Sequence, residues 1–343
     1  MTAAMQKSAD LYFILPGLFE CPHSSLDCLQ NSSLVNLMRG ARPQAVEQQS
    51  YEAVLGCAFD CASGLHGCPP IASAQAERIG VRSNVVRADP VHLKVDRDSA
   101  RLIDADALDI SVEESTALRE TLNSHLQADG LHVHECNACE WLLAGEGVPT
   151  VDMGPPSYAY GRNIDRFIVE AGMANEGKQL LTEIQMLLHS HPVNQDRMMN
   201  GKLSVNSLWV WGAGDLPQSD RLYTPLQVAS DDPLTRELAT YLGLAIVDDF
   251  EQMAIDSRTV IADRAMFRPA VDNSASEWER ELERIDNKYA KKIHRALKIG
   301  TVKSVIIAPC DGREFHLQRI SPFKFWQPKF NVREFIAPQK DIA

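Results

Sequence analysis

One stretch of the chain, residues 183–217, gathers polar side chains of the types that bind anions. It reads EIQMLLHSHPVNQDRMMNGKLSVNSLWVWGAGDLP, and we call it the HPVN segment. A guanidinium and an imidazole beside the N-terminus of a helix form a ready place for a phosphate or a carboxylate. The segment therefore predicts a site for a small anionic ligand, with these candidate residues: His191, Asn194, Arg197, Asn206, Gly212 and Gly214.

The same residues also have a structural interpretation. Asn194 then only caps a helix, Arg197 pairs with a surface carboxylate, and His189 and His191 bond to backbone carbonyl groups. The Gly-x-Gly turn that begins at Gly212 is by itself a weak signal. Spacing alone does not decide between the two interpretations.

The segment needs two helices and a strand to position these groups. Asn175 is the predicted N-cap of the first helix, which must end before Pro192. Asn194 can cap a second, short helix that ends at Gly201. Residues 204–211 alternate as a strand does, up to the glycine turn. The first helix carries an apolar stripe that predicts packing on a core: Leu180, Ile184, Leu187 and Leu188.

Strand-like and helix-like stretches alternate along the rest of the chain. Residues 11–15 form an apolar run of strand length, and Asp311-Gly312 is a strong hairpin signal. Ser111 and Ser274 each open a capping box. The residues after Ser274 predict one long helix with an apolar stripe: Trp278, Leu282, Ile285, Tyr289, Ile293 and Leu297. This alternation predicts an α/β fold with a central mixed sheet flanked by helices.

Composition excludes several classes of partner. The chain has 343 residues, of which 45% are apolar and 23% charged, and its net charge is −12. Such a charge argues against a nucleic-acid binder or a protein that binds anionic membranes. No stretch approaches the about 18 apolar residues that a membrane span needs, and no basic and apolar leader opens the chain. We therefore expect a soluble cytoplasmic protein.

Eight cysteines are scattered along the chain, and reduced thiols are the expectation for a cytoplasmic protein of this size. The run LHVHECNAC would place His132, His134 and Cys136 on one face of a strand, with Cys139 completing a Cys-x-x-Cys spacing. A zinc site stays an alternative there. Zinc signatures of this kind pair two such knuckles, however, and the second is missing, so we predict no bound metal.

The HPVN segment resembles a segment of the archaeal-type, cofactor-independent phosphoglycerate mutases, which belong to the alkaline phosphatase superfamily. The shared pattern is HPVN-x2-R-x3-G-x3-(A/I)N-x-(I/L)WLWG-x-G-x2-P, which residues 191–217 resemble, with valine at positions 205 and 210. A bacterial group of RpfE-type regulatory proteins shares the segment. Similarity to that group extends to residues 87–111, residues 122–130 and the helix at 278–300. The resemblance thus covers most of the chain from about residue 86 onward.

The resemblance implies an alkaline-phosphatase-like mixed sheet flanked by helices, with an inserted smaller α+β domain. Residues 1–85 and 212–343 would form the core, and residues 86–211 the inserted substrate-side domain. The HPVN segment would then lie where the insertion rejoins the core and would face a cleft, the usual place for a ligand.

The mutases that the chain resembles use two divalent metals and a serine nucleophile. Two metals need about six to eight Asp and His ligands, and the family takes the first from an Asp-Gly after the first strand. In this chain Pro16-Gly17 stands there, and the Asp-His pair that the family uses near its C-terminus is missing. The serines in the corresponding third of the chain have no context that marks a nucleophile: Ser63, Ser73 and Ser83.

These observations predict a phosphoglycerate-mutase-like protein that has lost its bimetallic site and acts as a regulatory or ligand-binding protein. It would need no cofactor and would bind a small anionic or phosphorylated ligand, or a protein partner.

The alternative is an active metal-dependent phosphoglycerate mutase or phosphotransferase that uses manganese or zinc. Its candidate ligands are Asp60, Asp231, Asp232, Asp248, Asp249, His294 and His316. Asp231-Asp232 is the best placed, after a strand, although acidic residues before Pro233 are also ordinary helix caps.

Overall fold

The chain forms two compact units, one from residues 1–60 and 218–343 and the other from residues 61–217. The predicted domain boundaries, 85/86 and 211/212, stay a prediction. The structure is a computed structural model. It describes residues 10–63, 66–95, 100–149, 151–160, 162–164, 167, 171–172, 174–215, 226–250, 252–253, 258–318 and 330–336. The last two residues of the HPVN segment, 216 and 217, lie outside these ranges, as do residues 96–99.

A seven-stranded mixed sheet forms the centre of the first unit, in the order β2-β12-β11-β1-β10-β8-β9. Strands β9, β8, β10, β1 and β11 run parallel, while β12 and β2 are antiparallel additions at one edge. The strands are β1 (Leu11–Ile14), β2 (Arg42–Ala45), β8 (Leu226–Ala229), β9 (Ala245–Ile246), β10 (Arg258–Ala262), β11 (Ser304–Ala308) and β12 (Arg313–Gln318). The predicted α/β fold with a central mixed sheet flanked by helices is confirmed.

Strand β1 lies in the middle of this sheet, and all four of its residues are buried. Its residue Leu11 stands opposite Val305 on one side and Thr259 on the other. Such a strand has apolar packing on both faces, so its sequence is an unbroken run of apolar residues. Residues 11–15 were recognisable from the sequence for this reason.

Helices cover the sheet of the first unit. They are α1 (Leu26–Asn31), α2 (Ser33–Leu37), α3 (Tyr51–Ala58), α10 (Pro233–Tyr241), α11 (Phe267–Val271), α12 (Ala275–Ile285) and α13 (Lys291–Ile299). Between α12 and α13, the residues Asp286–Ala290 form a π turn. The predicted stripe from Trp278 to Leu297 is buried throughout. From Ile285 onward, the residues of the stripe are spaced four apart. The π turn is wider than an α turn and therefore keeps these residues on one face of the helix. The predicted capping box at Ser274 is wrong, because the Ser274 side chain makes no capping bond.

The second unit holds a smaller five-stranded sheet in the order β4-β3-β6-β5, with β7 paired to β3. The pairs are antiparallel, and the long strand β3 connects the sheet. The strands are β3 (Val85–Val95), β4 (Ala100–Ile103), β5 (Leu131–Asn137), β6 (Glu140–Gly145) and β7 (Ser207–Trp211). All five residues of β7 are buried, so the predicted strand at the end of the HPVN segment is confirmed.

The helices of the second unit are α4 (Ile71–Ile79), α5 (Ala105–Leu108), α6 (Val112–Leu126), α7 (Pro156–Ala159), α8 (Asn175–His189) and α9 (Pro192–Met199). The capping box predicted at Ser111 is present at the start of α6. Two predicted caps are wrong by a few residues: Ala174 rather than Asn175 is the N-cap of α8, and His191 rather than Asn194 is that of α9. No helix within the described residues is long and apolar enough to cross a membrane.

Candidate functional site

His191 occupies the turn between α8 and α9. Its ring nitrogen Nδ1 accepts a bond of 3.2 Å from the backbone N–H of Val193, which makes the imidazole the cap of α9. The other nitrogen, Nε2, lies 2.9 Å from the hydroxyl of Thr121 on α6. Burial lowers the pKa of His191, and the nearby backbone of Ala117 partly offsets the effect. Both ring nitrogens therefore have protein partners.

Asn194 lies inside α9 and is 1% exposed. Its side-chain Nδ2 donates to the carbonyl oxygens of Leu188 and Val205, each at 2.7 Å, and its Oδ1 accepts from the Val205 N–H at 2.8 Å. The amide thus joins the end of α8 to the chain that enters β7. An amide makes at most about four such bonds, and three are taken by the main chain.

Arg197 lies one turn further along α9 and is 2% exposed. Its guanidinium donates to the carbonyl oxygens of Leu203 and Leu108, at 2.7 and 2.5 Å, and forms a 2.6 Å ion pair with Glu114. Arg197 therefore holds α9 against the start of α6. The structural interpretation predicted that Arg197 pairs with a surface carboxylate. The partner is indeed a carboxylate, that of Glu114, but the guanidinium itself is buried.

Asn206 continues the ladder between β7 and β3 by using its side chain. Its Oδ1 accepts from the Leu93 N–H at 2.7 Å, and its Nδ2 donates to the Leu93 carbonyl at 3.0 Å. The backbone N–H of Asn206 donates to Val91. The carboxamide has the donor and acceptor of a peptide group, so it takes the place of one more residue in the strand.

The glycine turn after β7 lies across the N-terminus of α4. The carbonyl of Gly212 accepts from the Ala72 N–H at 3.1 Å, and the carbonyl of Gly214 accepts from the Ser73 hydroxyl at 2.7 Å. A Cβ on Gly214 would stand 2.4 Å from the Ser63 hydroxyl oxygen, so only glycine fits. Helix N-termini attract anions because their N–H groups lack partners, and here backbone carbonyls supply partners.

Next to this turn, the first residues of β3 bury an ion pair. The Arg87 guanidinium bonds Asp89 at 2.7 and 2.8 Å, and Trp211 donates to the same carboxylate at 2.7 Å. Gln75 and Glu140 complete the network around Arg87. Burial raises the pKa of Asp89 to about 6, against the opposing effect of the Arg87 charge. The network joins α4, β3, β6 and β7, and it was not predicted from the sequence.

In the first unit, the parallel strands end together at what we call the carboxyl edge. The edge comprises residues 15–17 after β1, 230–232 after β8, 263–264 after β10 and 309–311 after β11. In open α/β sheets this edge is the usual place for a ligand. Two bonds tie neighbouring loops together: Asp263 N–H donates to the Ile14 carbonyl at 3.1 Å, and the Ser230 hydroxyl donates to the Ala262 carbonyl at 2.7 Å.

Each of three carboxylates at this edge has a cation from the chain within 4 Å. Arg284 holds both oxygens of Asp263 at 2.8 Å, and Lys288 in the π turn contacts Asp231 at 2.5 Å. The third pair joins Arg264 and Asp232 at 3.5 Å. In these three pairs, each carboxylate charge is therefore balanced by the charge of one cation.

Asp232 has further partners that fix it as a helix cap. Its Oδ2 accepts from the Thr235 N–H at 2.9 Å and from the Thr235 hydroxyl at 2.7 Å. The hydroxyl of the buried Tyr51 lies 2.6 Å from the same Thr235. Burial, followed by the charge of Asp232, raises the pKa of Tyr51 well above its usual range. The predicted capping role of the acidic pair before Pro233 is thus present at Asp232.

The cations hold their protons firmly. Burial lowers the pKa of Lys288, but the contacts with Asp231 and Tyr289 together outweigh it, and the net shift is upward. The same balance raises the pKa of Arg284 through Glu281 and Asp263. Asp263, Arg264, Arg284 and Lys288 were not predicted as site residues. One feature of the sequence could have indicated this site: Asp263 comes directly after the apolar run of β10.

The other candidate metal ligands are scattered. Asp248 pairs with Arg236, the Asp249 side chain accepts from the Gln252 N–H, and His316 contacts Glu314 within β12. Asp60 lies in a left-handed turn after α3, and His294 is exposed on α13. Nowhere in the described ranges do three or more His, Cys, Asp or Glu side chains converge as a metal would require.

The position after β1 is closed by packing. Gly17 has a φ of +84°, and a Cβ there would lie 2.7 Å from the carbonyl oxygen of Met266. The Gly17 carbonyl also accepts a 3.0 Å bond from the buried Trp278. The turn at which the resemblance implies a first metal ligand therefore serves here to pack α12 against the end of β1.

The cysteines have separate surroundings. All eight are free thiols. His132 and His134 lie on the same face of β5, with ring centroids 4.5 Å apart, as the alternation predicted. Cys136 packs against the apolar cluster of Ala72, Ala76 and Leu142.

Comparisons with known proteins come from sequence and structure. No family model matches the chain. It is 28% identical over 162 residues to a 2,3-bisphosphoglycerate-independent phosphoglycerate mutase of Methanosarcina barkeri, which covers 44% of this chain and 39% of that protein. The mutase of the same name from Methanosarcina mazei is 26% identical over 208 residues, covering 57% and 50%. The chain thus spans about half, or less, of the length of these relatives.

Two solved structures are also similar. The PH0037 protein from Pyrococcus horikoshii aligns with a TM-score of 0.48 and 14% identity, covering 90% of this chain and 87% of that one. A cofactor-independent phosphoglycerate mutase from Thermoplasma acidophilum aligns with a TM-score of 0.37 and 15% identity, covering 96% and 98%. By sequence, the chain is distantly similar to the archaeal-type cofactor-independent phosphoglycerate mutases.

Proposed function

We propose that this chain is a phosphoglycerate-mutase-like protein without metal-dependent phosphoryl transfer, which binds a small anionic ligand in a regulatory role. The observation that carries the proposal is the pairing of Asp231, Asp232 and Asp263 with cations of the chain itself. A regulatory role accords with the similarity to the RpfE-type group, and a protein partner is the alternative to a small ligand.

The residues at the carboxyl edge do not fit a pair of divalent metals. Two metals need about six to eight Asp and His ligands that can give their charge to the ions. Here the three carboxylates give their charge to Arg264, Arg284 and Lys288. A metal would have to displace a cation at each carboxylate, and the position after β1 has no space for a further ligand.

Exposure favours the carboxyl edge over the HPVN segment as the place for an anion. The side chains of Arg264 and Lys288 are each 29% exposed and that of Arg284 is 35% exposed, whereas that of Arg197 is 1% exposed. An anion at Arg197 would also have to replace Glu114 and two backbone carbonyls. A phosphate at the edge competes with carboxylates of the chain for cations that are already partly exposed to water.

Phosphorus NMR of the purified protein with 3-phosphoglycerate tests the catalytic part of the proposal. Manganese, cobalt and zinc are added in turn, and circular dichroism verifies that the protein is folded. We expect no formation of 2-phosphoglycerate above the buffer background. Interconversion that disappears with a chelator would instead establish an active enzyme whose metal ligands come from other positions.

Calorimetric titration with 3-phosphoglycerate tests the binding part. We expect the Arg284→Gln variant to bind at least tenfold more weakly than the original protein. Arg280→Gln is the matched control, since Arg280 lies on the same helix and is 69% exposed. Equal affinities for all three proteins would refute binding at the carboxyl edge and leave a protein partner as the alternative.

A further inference from the structure

Two histidine rings face each other on an edge strand of the smaller sheet. His132 and His134 alternate along β5, and their ring centroids are 4.5 Å apart with planes inclined by 60°. Strand β5 ends the order β4-β3-β6-β5, so it has one strand neighbour. Its open side is occupied by Asn123, whose amide exchanges two bonds with the Val133 backbone at 2.6 and 3.0 Å.

The chemistry of this pair differs from that of other histidines in the second unit. His92 contacts the Ser204 carbonyl at 2.8 Å, and His191 is held by Thr121 and the Val193 N–H. His132 has one long contact of 3.4 Å, with Asn123. For His134, the described part of the chain supplies no hydrogen bond or ion pair. Its nearest aromatic partner is the other imidazole.

The two rings are also suited to metal binding by charge. Burial lowers the pKa of His134, and the neighbouring His132 and Arg119 lower it further. A neutral imidazole has a free lone pair on one nitrogen, which is the form that binds metals. Two protonated rings this close would repel each other, whereas one metal ion can satisfy both.

We propose that His132 and His134 form a two-imidazole site for a borderline divalent transition metal, of the class of Ni²⁺, Cu²⁺ and Zn²⁺. Metal–nitrogen bonds of about 2.0–2.1 Å place two ligand nitrogens about 3 Å apart. Rings with centroids 4.5 Å apart reach that spacing by rotation about their side-chain bonds. Imidazole pairs select these metals over Mg²⁺ and Ca²⁺, and Cu²⁺ should bind most tightly in the series.

The site has two protein ligands rather than three. Cys136 follows two residues later, where the pairing of β5 with β6 shifts register, and it packs against the apolar cluster of Ala72, Ala76 and Leu142. Residues two apart on a strand are separated by about 6.6 Å, so Cys136 lies about 13 Å along the strand from His132. One ion cannot bridge that distance with both side chains. The remaining coordination positions are therefore left to water or to an incoming ligand.

Calorimetric titration of the full-length protein with Ni²⁺ tests the proposal, since Ni²⁺ does not oxidise the free thiols. We expect one saturable ion per chain, and at least a tenfold loss of affinity in either His132→Gln or His134→Gln, because each removes the chelate. His125→Gln is the matched control, since this histidine lies nearby in sequence, is exposed on α6 and contacts Glu183. It should leave the affinity within twofold, as should Cys136→Ser.

A second measurement identifies the ligand atoms. Accessible thiols are first blocked by alkylation, so that they cannot reduce Cu²⁺. Cu²⁺ bound at one equivalent should then give an electron paramagnetic resonance spectrum with coupling to two imidazole nitrogens, reduced to one in either variant. The proposal is refuted if the two variants bind Ni²⁺ as the original protein does, or if Cys136→Ser weakens binding as much as they do. It does not depend on the proposed function, because phosphoglycerate binding is measured separately.

Discussion

The HPVN segment and the carboxyl edge of the larger sheet both gather charged and amide side chains. In the HPVN segment, Asn194, Arg197 and Asn206 bond mainly to backbone groups. At the carboxyl edge, Asp231 and Asp263 bond to side-chain cations that are partly exposed. Backbone partners are fixed by the fold, while an exposed side-chain partner can exchange for a ligand. A conspicuous motif can therefore be structural, while the side chains whose partners a ligand can replace lie elsewhere in the molecule.

Truncation of Arg197 should give the largest effect. In Arg197→Ala, Glu114 and the carbonyl groups of Leu108 and Leu203 lose their donor, and we expect a loss of about 3 kcal/mol in the free energy of unfolding. Urea denaturation measures the change. Arg236→Ala is the control, because this exposed pair with Asp248 should contribute at most about 1 kcal/mol. Unchanged stability together with weaker binding of a phosphorylated metabolite would reverse the comparison.

Asn194→Asp should come next. The substituted side chain keeps its shape and can still accept from the Val205 N–H, but it cannot donate to the carbonyls of Leu188 and Val205. We expect a destabilisation of about 2 kcal/mol in the same denaturation experiment. Asn200→Asp, where the amide contacts one exposed carbonyl, should have a much smaller effect. If both variants lose the same free energy of unfolding, the Asn194 hydrogen bonds do not stabilise the fold more than an exposed one does.

At the carboxyl edge, the double variant Arg284→Gln with Lys288→Gln should change metal binding as well as stability. It frees Asp263 and Asp231 from their cations, and we expect saturable Mn²⁺ binding that the original protein lacks. The unfolding free energy should fall by about 2 kcal/mol, because Asp263, whose side chain is only 6% exposed, loses the cation that bonds both of its oxygens. Calorimetric titration with MnCl2 decides the matter. Mn²⁺ binding of equal strength in the original protein would contradict the pairing argument.

The smallest expected effect concerns pH and His191. Its pKa is lowered in the folded protein, so the unfolded chain takes up the proton first as the pH falls below about 6.5. Stability is thus present at neutral pH and lost on acidification, when Nδ1 can no longer accept from Val193. His191→Asn keeps a capping side chain without titrating. Between pH 7 and 5, the original protein should lose about 1 kcal/mol more than this variant in thermal unfolding. Parallel curves would exclude the imidazole as a pH-sensitive cap.

Several elements of the fold could be read from local patterns. The buried run of β1, the capping box at Ser111, the strand β7 and the stripe from Trp278 to Leu297 were all predicted correctly. Each rests on periodicity or on cap chemistry within a few residues, which a single sequence displays.

The partners of the site residues could not be read in this way. Arg197 bonds the carbonyl of Leu108, 89 positions earlier, and Lys288 contacts Asp231, 57 positions earlier. Such pairs are determined by the packing of whole elements. The cap of α9 was misplaced for a related reason: imidazole caps are uncommon, so the nearby Asn194 seemed the better candidate.

The π turn at Asp286–Ala290 has a consequence for how the length of this chain can vary. A π turn holds one more residue than an α turn, so it amounts to a single-residue insertion absorbed within a helix. Deletion of Asn287 would restore a continuous α-helix and keep Ile293 and Leu297 on the buried face. The direction of Lys288 would change, however, and Asp231 would lose its cation. A relative with one residue fewer at this point could thus share the fold and differ in the charge of its carboxyl edge.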